Sequence, residues 1–290
     1  MTPAINERMK VLPAVTAPLF VPASRRDLFA KAATSGADAF IVDLEDAVPA
    51  NLKDEARANL GTIFGFAVPA FVRINAEGTP WHQADLDALS ALGIRRICVP
   101  KVEDADVLGR IASRFVSSVT LIAQIETAAG LEGAQAIARH PQVSQLAFGP
   151  ADFFLDMGMP DSAEMTQHVL CRLAIASRAA GIAAPLDGPA FAIGDAAVLA
   201  TECRTAVACG AGGKLCIHPA QPGAVLEHFL PNASEVEWAR RIVSDGGDGG
   251  ARAVQGQMID APLIARAQLV LQRSGGRGTQ MAGHSQEIQT

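Results

Sequence analysis

Charged and polar side chains occur at or just after the ends of several short apolar segments. These residues are Asp43, Glu45, Asp46, Arg73, Asn75, Lys101, Gln124, Glu126, Asp152, Asp187 and His218. Carboxylates are preferred ligands of hard cations, and guanidinium groups bind carboxylates through paired hydrogen bonds. If one edge of the fold brought these residues together, they could hold a metal ion and a small organic acid.

Glu126 and Asp152 follow consecutive apolar segments, so we expect them to be neighbours. Two carboxylates without a nearby His or Cys suit Mg²⁺ or Mn²⁺. Mg²⁺ usually takes only one or two protein carboxylates and completes its octahedron with water and substrate oxygens. The alternative is that both are solvated loop residues or helix caps, with Asp152 capping a short helix. Spacing alone leaves both interpretations open.

Arg73 lies inside an apolar segment, and a guanidinium in such a place needs an anion. That anion is either a substrate carboxylate, which we favour, or a structural partner such as Asp43 or Glu45. Asp43, Glu45 and Asp46 form a cluster of three acids within four residues. They could ligate metal-bound waters, orient Arg73 or act as a base, and the sequence does not separate these roles.

Three further side chains have catalytic and structural interpretations. Lys101 is either a Schiff-base nucleophile, which would need desolvation, or an ion-pair partner, and the acidic surroundings favour the ion pair. His218 precedes Pro219, where a packed or capping role is favoured over catalysis. His82 follows Trp81 in an expected loop and is a secondary candidate for a base.

The apolar segments predict eight strands, at 19–22, 39–43, 70–75, 96–100, 119–125, 145–149, 183–186 and 214–218. Most are continuously apolar, as strands buried on both faces are. Segments of helical periodicity lie between them, at 27–35, 52–60, 83–92, 105–115, 128–139, 163–179 and 195–209. This alternation predicts an α/β fold, a (β/α)8 TIM barrel, whose active site forms at the carboxyl ends of the strands. A doubly wound sheet is the alternative, disfavoured because no Gly-rich phosphate-binding sequence follows the first strand.

The expected organisation has four parts. An N-terminal segment covers 1–15, the barrel covers 16–230, and a C-terminal helical extension covers 231–273. Within the extension we expect helices at 235–243 and 257–272, separated by a flexible Gly-rich break at 246–250. The polar, Gly-rich stretch 274–290 is expected to be a disordered tail.

Composition excludes several classes of function. With 24 Lys and Arg against 30 Asp and Glu, the 290-residue chain carries a net charge of −6, which disfavours nucleic-acid binding. The five cysteines form no CxxC pair, which disfavours a disulfide scaffold or a zinc site. The apolar runs are too short to span a membrane, and the N-terminal residues lack a signal-peptide pattern. We therefore expect a soluble, cytoplasmic protein.

Several segments occur together, and in this order, in one protein family. They are LFVPASR at 19–25, VDLEDAV at 42–48, VRIN at 72–75, VPKV at 99–102, QIETA at 124–128, FGPADF at 148–153, IHPAQ at 217–221 and MIDAP at 258–262. As a set they resemble the HpcH/HpaI aldolase and citrate lyase superfamily, and within it the citrate lyase β-subunit-like proteins. The resemblance extends from about residue 16 to residue 272.

The resemblance implies a barrel that assembles as a homotrimer or a dimer of trimers. It implies Mg²⁺ held by Glu126 and Asp152, with Arg73 binding the carboxylate of an oxo acid or hydroxy acid. Asp260 matches an acid/base that reaches the site of a neighbouring subunit in relatives. The resemblance also implies that Ser24, Arg25 and Lys31 lie where relatives hold the substrate or the CoA phosphates.

The implied activity is a Mg²⁺-dependent carbon–carbon lyase. Its substrate would be a 3-hydroxyacyl thioester of CoA or an acyl carrier, such as a citryl, malyl or citramalyl thioester, and its products a 2-oxo acid and an acyl thioester. One alternative is a metal-dependent aldolase acting on free 2-oxo acids. It is disfavoured because those relatives place a His near the second or third strand, and this chain has none before Asn75. The other alternative is a carrier-dependent subunit of a larger lyase complex.

Overall fold

The computed structural model describes residues 14–245, 252–254 and 257–281. The described residues up to Leu226 form one compact unit, and those from Glu227 form a second. The predicted N-terminal segment 1–15 and the Gly-rich break at 246–250 fall mostly or wholly outside the described residues.

The first unit consists of alternating strands and helices. Its strands are β1 (Leu19–Pro22), β2 (Phe40–Asp43), β3 (Ala70–Arg73), β4 (Arg96–Val99), β5 (Thr120–Ile125), β6 (Val143–Phe148), β7 (Ala183–Asp187) and β8 (Gly213–Lys214). Its helices are α1 (Phe29–Ala33), α2 (Lys53–Asn59), α3 (His82–Leu92), α4 (Ala105–Ala112), α5 (Ala128–Ala138), α6 (Pro150–Asp156), α7 (Ala163–Ala180) and α8 (Ala196–Ala208). Short 3₁₀ helices span Arg26–Leu28, Ala50–Leu52 and Leu60–Gly65.

The eight strands are parallel and are hydrogen-bonded in chain order from β1 to β8. The sheet closes between its first and last members, because the Phe20 amide donates to the Cys216 oxygen (2.8 Å) and the Cys216 amide donates to the Pro18 oxygen (2.9 Å). Leu19 and Cys216 form a parallel bridge at the same place. The (β/α)8 barrel is therefore confirmed, and the doubly wound alternative is wrong because that fold leaves its sheet open.

The inside of the barrel is a layered apolar core. One cluster takes buried residues from every strand region: Val15, Ala39, Ile41, Phe71, Cys98, Ile122, Ala147, Leu186 and Leu215. Alternate residues of a strand share a face, so the residue two positions after a core residue also points inward, nearer the carboxyl end. Asp43 follows Ile41 in this way and Arg73 follows Phe71, and both are buried. The strand periodicity thus places the polar residues just above the apolar core.

The second unit differs in part from the sequence-based expectation. Helix α9 (Gln221–Phe229) contains the boundary between the two units, which falls after Leu226. Helix α10 (Ala233–Asp245) covers the helix expected at 235–243. The helix expected over 257–272 is wrong at its start, because β10 (Gln257–Ile259) pairs antiparallel with β9 (Arg252–Val254). Helix α11 begins at Ala261 and continues to Met281, past the expected end at 272. Residues 282–290, the rest of the expected tail, lie outside the described residues.

The second unit has its own apolar core. Ala239, Ile242, Ile259 and Ala267 are buried there, and the partly buried residues packed against them come from α10 and α11. In the part of the chain that the structure describes, every helix is too short or too polar to cross a membrane.

Candidate active site

Arg73 and Asp43 form a buried, two-pronged ion pair at the carboxyl ends of β3 and β2. The two residues are register partners on adjacent parallel strands. Arg73 Nε donates to Asp43 Oδ1 (2.7 Å) and Nη2 donates to Oδ2 (2.6 Å). Although burial opposes the charge, the Asp43 carboxylate raises the pKa of Arg73 above its ordinary value. The structural ion pair considered for Arg73 is therefore present, and Nη1 is the part of the guanidinium that Asp43 leaves free.

Glu45 lies beside that remaining nitrogen. The Arg73 Nη1 atom is 3.2 Å from Glu45 Oε2, and Glu45 is buried. Oε2 is itself a buried oxygen without a well-aligned hydrogen bond. Burial raises the pKa of Glu45 to about 7, while Arg73 opposes that shift. A carboxyl group with such a pKa can both accept and release a proton near neutral pH.

Glu126 follows β5 and is almost completely buried. Its Oε1 accepts a hydrogen bond from Gln124 Nε2 (3.0 Å), and its Oε2 accepts one from the Lys101 amide (2.9 Å). The space for its side chain depends on Gly149, because a Cβ at that position would lie 2.4 Å from Glu126 Oε1. Burial raises the pKa of Glu126 to about 8, with Glu45 as the next contributor.

Asp152 lies in the first turn of α6, directly after β6. The N-cap residue of α6 is Gly149, and no side chain makes a capping hydrogen bond there, so Asp152 is not the helix cap that was one of the alternatives. Its side chain is 33% exposed, and its Oδ1 lies 3.4 Å from Lys101 Nζ. Asp152 is therefore accessible from solvent, whereas Glu126 is buried and is held by hydrogen bonds from the Lys101 amide and the Gln124 side chain.

Lys101 connects these acids. Its Nζ lies 3.4 Å from Asp152 Oδ1 and 3.5 Å from Glu45 Oε1, and its amide binds Glu126. Burial acts to lower the pKa of Lys101, but the carboxylates of Glu45 and Asp152 raise it above its ordinary value. A Schiff-base nucleophile needs a lowered pKa, so the geometry supports the ion-pair interpretation of Lys101.

The donor set fits a hard divalent cation with few protein ligands. In the described part of the chain, no three His, Cys, Asp or Glu side chains are arranged as a complete metal-binding group. Glu126 and Asp152 supply carboxylate oxygens from adjacent strand ends, and the charges of Glu45 and Asp152 help to raise the pKa of Glu126. The carboxylate cluster thus offers two candidate ligands and an excess of negative charge. This matches Mg²⁺, which prefers water and substrate oxygens at its remaining coordination positions.

A second layer of polar residues, which the sequence did not identify as a group, supports the loop after β2. Lys53 is buried, and its Nζ donates to the main-chain oxygens of Leu44 (2.5 Å) and Glu45 (2.8 Å) and to Asn75 Oδ1 (2.6 Å). The Asn75 side chain in turn donates to Asp85 Oδ2 (2.6 Å). Lys53 stands in an ordinary helical pattern, so only its packing against the loop reveals this contact.

The two histidines and Asp187 have structural partners. His82 Nδ1 lies 2.8 Å from the Asn75 oxygen, and His218 Nδ1 accepts from the Ala220 amide (3.2 Å), which matches the capping role favoured for His218. Asp187 pairs with the buried Lys214 (2.6 Å).

Comparisons with known proteins identify the family of the chain. A family model described as HpcH/HpaI aldolase/citrate lyase matches residues 17–219. The chain belongs to this family. It is 32% identical over 274 residues to the citrate lyase subunit beta-like protein of Deinococcus radiodurans, covering 87% of this chain and 95% of that protein. It is 33% identical over 264 residues to a (3S)-malyl-CoA thioesterase of Cereibacter sphaeroides, covering 88% and 91%.

A solved structure of a family member resembles this fold closely. The CitE protein of Mycobacterium tuberculosis, in complex with magnesium, acetoacetate and coenzyme A, superimposes with a TM-score of 0.77 at 33% identity. The match covers 91% of this chain and 100% of that chain. Another structure of a citrate lyase β subunit from the same organism contains oxaloacetate and magnesium. The resemblance inferred from the sequence motifs is therefore confirmed.

The remaining residues that the family resemblance suggested lie in two places. Ser24 and Arg25 follow the carboxyl end of β1, and Lys31 lies in α1; Arg25 and Lys31 are exposed and Ser24 is half-buried. Arg25 forms an exposed ion pair with Asp27 (2.7 Å). Asp260 belongs to the second compact unit, where its Oδ1 accepts from the Leu263 amide (3.0 Å) at the start of α11. The barrel unit thus brings together Arg73, Glu45, Glu126 and Asp152, and Asp260 belongs to the other unit.

Proposed function

We propose that the protein is a Mg²⁺-dependent carbon–carbon lyase that cleaves or forms a 3-hydroxyacyl thioester such as citryl-, malyl- or citramalyl-CoA. The products of cleavage are a 2-oxo acid and an acyl thioester. The observation that carries this proposal is the convergence of buried Arg73 with Glu126 and Asp152 at one end of the barrel. The magnesium, oxo-acid and coenzyme A complexes of the M. tuberculosis relative support the same ligand classes here.

Glu126 and Asp152 are the residues that would hold the divalent ion, which is Mg²⁺ or Mn²⁺. When bound, such an ion supplies a Lewis acid that polarises the oxygens of the oxo acid. Glu126 is fixed by hydrogen bonds from Gln124 and Lys101, so it is preorganised as a ligand. Asp152 is partly exposed, so it can adjust to the ion without disturbing the core.

Arg73 binds and orients the substrate carboxylate. Because Asp43 takes Nε and Nη2, the substrate would be held through Nη1, beside Glu45, and not through a bidentate contact. The Asp43 pair keeps the guanidinium in one orientation. In this proposal the carboxylate of the 2-oxo acid lies on the side of the rim that holds Glu126, whose charge also acts on Arg73.

Glu45 and Asp260 are the acid/base groups of the proposal. The raised pKa of Glu45, about 7 because of its burial, suits it to accept the substrate hydroxyl proton during cleavage. Asp260 is proposed to act on the acyl enolate in the site of a second copy of the chain. If so, one chain alone holds an incomplete site.

The thioester and the assembly complete the proposal. Ser24, Arg25 and Lys31 would bind the CoA phosphates or an acyl carrier, since the latter two are exposed cations near β1. A homotrimer or a dimer of trimers is proposed, and exposed Leu155 (79%), Phe191 (59%) and Ile193 (47%) after β6 and β7 offer apolar surface for it. A cytoplasmic location is proposed because the five cysteines are free thiols.

The proposal is tested by a panel of malyl-, citramalyl- and citryl-CoA, with free citrate and a free 2-oxo acid plus aldehyde as controls. Cleavage of at least one thioester that is lost with EDTA and restored with Mg²⁺ is expected. Turnover of the free acids alone would instead support the aldolase, and turnover only with co-purified partner subunits would support the carrier-dependent subunit. The Glu126→Gln variant should lose both metal binding and cleavage.

A further inference from the structure

Lys101 has an unusual main-chain conformation. Among the described residues other than glycine, it is the one with a positive φ, at 49°. A side chain in this left-handed region is strained, because its Cβ comes close to the following carbonyl oxygen. Such strain persists only when surrounding contacts impose it, and it is concentrated at functional sites. The conformation of Lys101 therefore needs an explanation in the contacts that it makes.

The left-handed turn directs two different groups of Lys101 at the same carboxylate cluster. The amide donates to Glu126 Oε2 (2.9 Å), and the ammonium lies between Asp152 Oδ1 (3.4 Å) and Glu45 Oε1 (3.5 Å). The amide contact is a normal hydrogen bond. The two ammonium contacts are longer, and the Lys101 side chain is 34% exposed, so the ammonium group has access to solvent.

We propose that the Lys101 ammonium is an internal counter-cation that holds Asp152 and Glu45 until a divalent ion binds and displaces it from Asp152. The proposal rests on the proposed role of Glu126 and Asp152 as metal ligands. Two cations cannot share one carboxylate oxygen at this range without strong repulsion. Lys101 thus weakens the affinity for the metal while its amide keeps Glu126 in place.

The direction of the effect separates this role from a structural one. If Lys101 served mainly to position the acids, removal of its side chain would weaken metal binding. If its ammonium competes with the metal, removal would tighten binding. Even at the dielectric constant of bulk water, the repulsion between a unit charge and a divalent ion about 4 Å apart corresponds to at least about a tenfold change in affinity.

The test measures Mn²⁺ binding alone, from the electron paramagnetic resonance signal of the free ion, at mildly alkaline pH. Lys101→Gly keeps the amide and accepts the positive φ, and it should bind Mn²⁺ about tenfold more tightly than the wild type. Lys101→Arg should stay near the wild type. Lys101→Ala provides a second charge-free variant with a Cβ. Arg114→Met removes one positive charge from the exposed Arg114–Asp87 ion pair and therefore controls for the change in net charge. It should leave the Mn²⁺ affinity unchanged.

Unchanged or weaker Mn²⁺ affinity in both folded charge-free variants would overturn the inference. Glu126→Gln separates this failure from failure of the proposed function. If Glu126→Gln abolishes Mn²⁺ binding while Lys101→Gly leaves it unchanged, only the counter-cation role is refuted. If Glu126→Gln binds Mn²⁺ like the wild type, the assignment of the metal ligands is refuted as well.

Discussion

Gly149 is the position where the smallest change should have a large effect on Glu126. An added Cβ would lie 2.4 Å from Glu126 Oε1 and 2.5 Å from its Cγ, whereas ordinary contacts of this kind begin near 3.4 Å. The φ of Gly149 is −111°, which alanine adopts without strain, so the effect of Gly149→Ala is steric alone. The Glu126 side chain must therefore move by about 1 Å, the scale at which misplacement costs about 10²-fold in rate.

We expect Gly149→Ala to fold, with a loss of about 1–3 kcal/mol in the free energy of unfolding from overpacking. Because Glu126 would be displaced, its Mn²⁺ affinity should fall by about 10- to 100-fold. Its turnover of a CoA thioester should fall by about 10²-fold. Thermal melting measures the loss of stability, calorimetric titration measures the Mn²⁺ affinity, and a steady-state assay measures the turnover.

The matched control is Gly109→Ala in α4, where an added Cβ meets no atom within 4 Å. That substitution should leave metal binding unchanged and should not destabilise the fold, since alanine favours a helix. If Gly149→Ala bound Mn²⁺ as tightly as the Gly109→Ala control, the argument that Glu126 is a positioned metal ligand would be refuted.

Three further predictions follow from the same site. Arg73→Lys should keep the positive charge but lose the two-pronged contact with Asp43. We expect KM for the oxo acid in the condensation direction to rise at least about tenfold, while the Mn²⁺ affinity changes little. An unchanged KM would contradict the role of Arg73 in binding the substrate carboxylate. Burial raises the pKa of Glu126 to about 8, so in EDTA the native state binds more protons than the unfolded state between the ordinary carboxyl pKa and pH 8. Stability should therefore fall as pH rises through this window and recover with Mg²⁺, and a melting temperature that rises across it in EDTA would count against the buried carboxyl. Asp260→Asn should lose turnover yet bind Mg²⁺, and mixing it with Arg73→Ala should restore part of the activity; absence of rescue, with subunit exchange verified, would argue for a site within one chain.

The barrel and its rim could be predicted because they follow from local patterns. Each strand is a short apolar run, and alternation along the strand carries Asp43 and Arg73 inward just above the core. The parallel order then brings the ends of β5 and β6 together, which is why Glu126 and Asp152 could be expected at neighbouring strand ends from the sequence. These inferences need only periodicity and chain order.

The features that were missed depend on contacts between distant segments. Gly149 matters because Glu126 packs against it, and Lys53 matters because it reaches the loop after β2. Neither contact leaves a mark on the local pattern. The same reason explains the error at β10, since the apolar residues of Gln257–Ile259 continue the helical pattern of α11, and only pairing with β9 makes them a strand.

A crystal structure with Mn²⁺ and oxaloacetate, using the anomalous signal of manganese, tests the central claim most directly. We predict one manganese peak within bonding distance of Glu126 and Asp152, a substrate carboxylate on Arg73 Nη1, and the Lys101 ammonium withdrawn from Asp152. A manganese ion bound elsewhere, or oxaloacetate bound without contact to Arg73, would contradict the account.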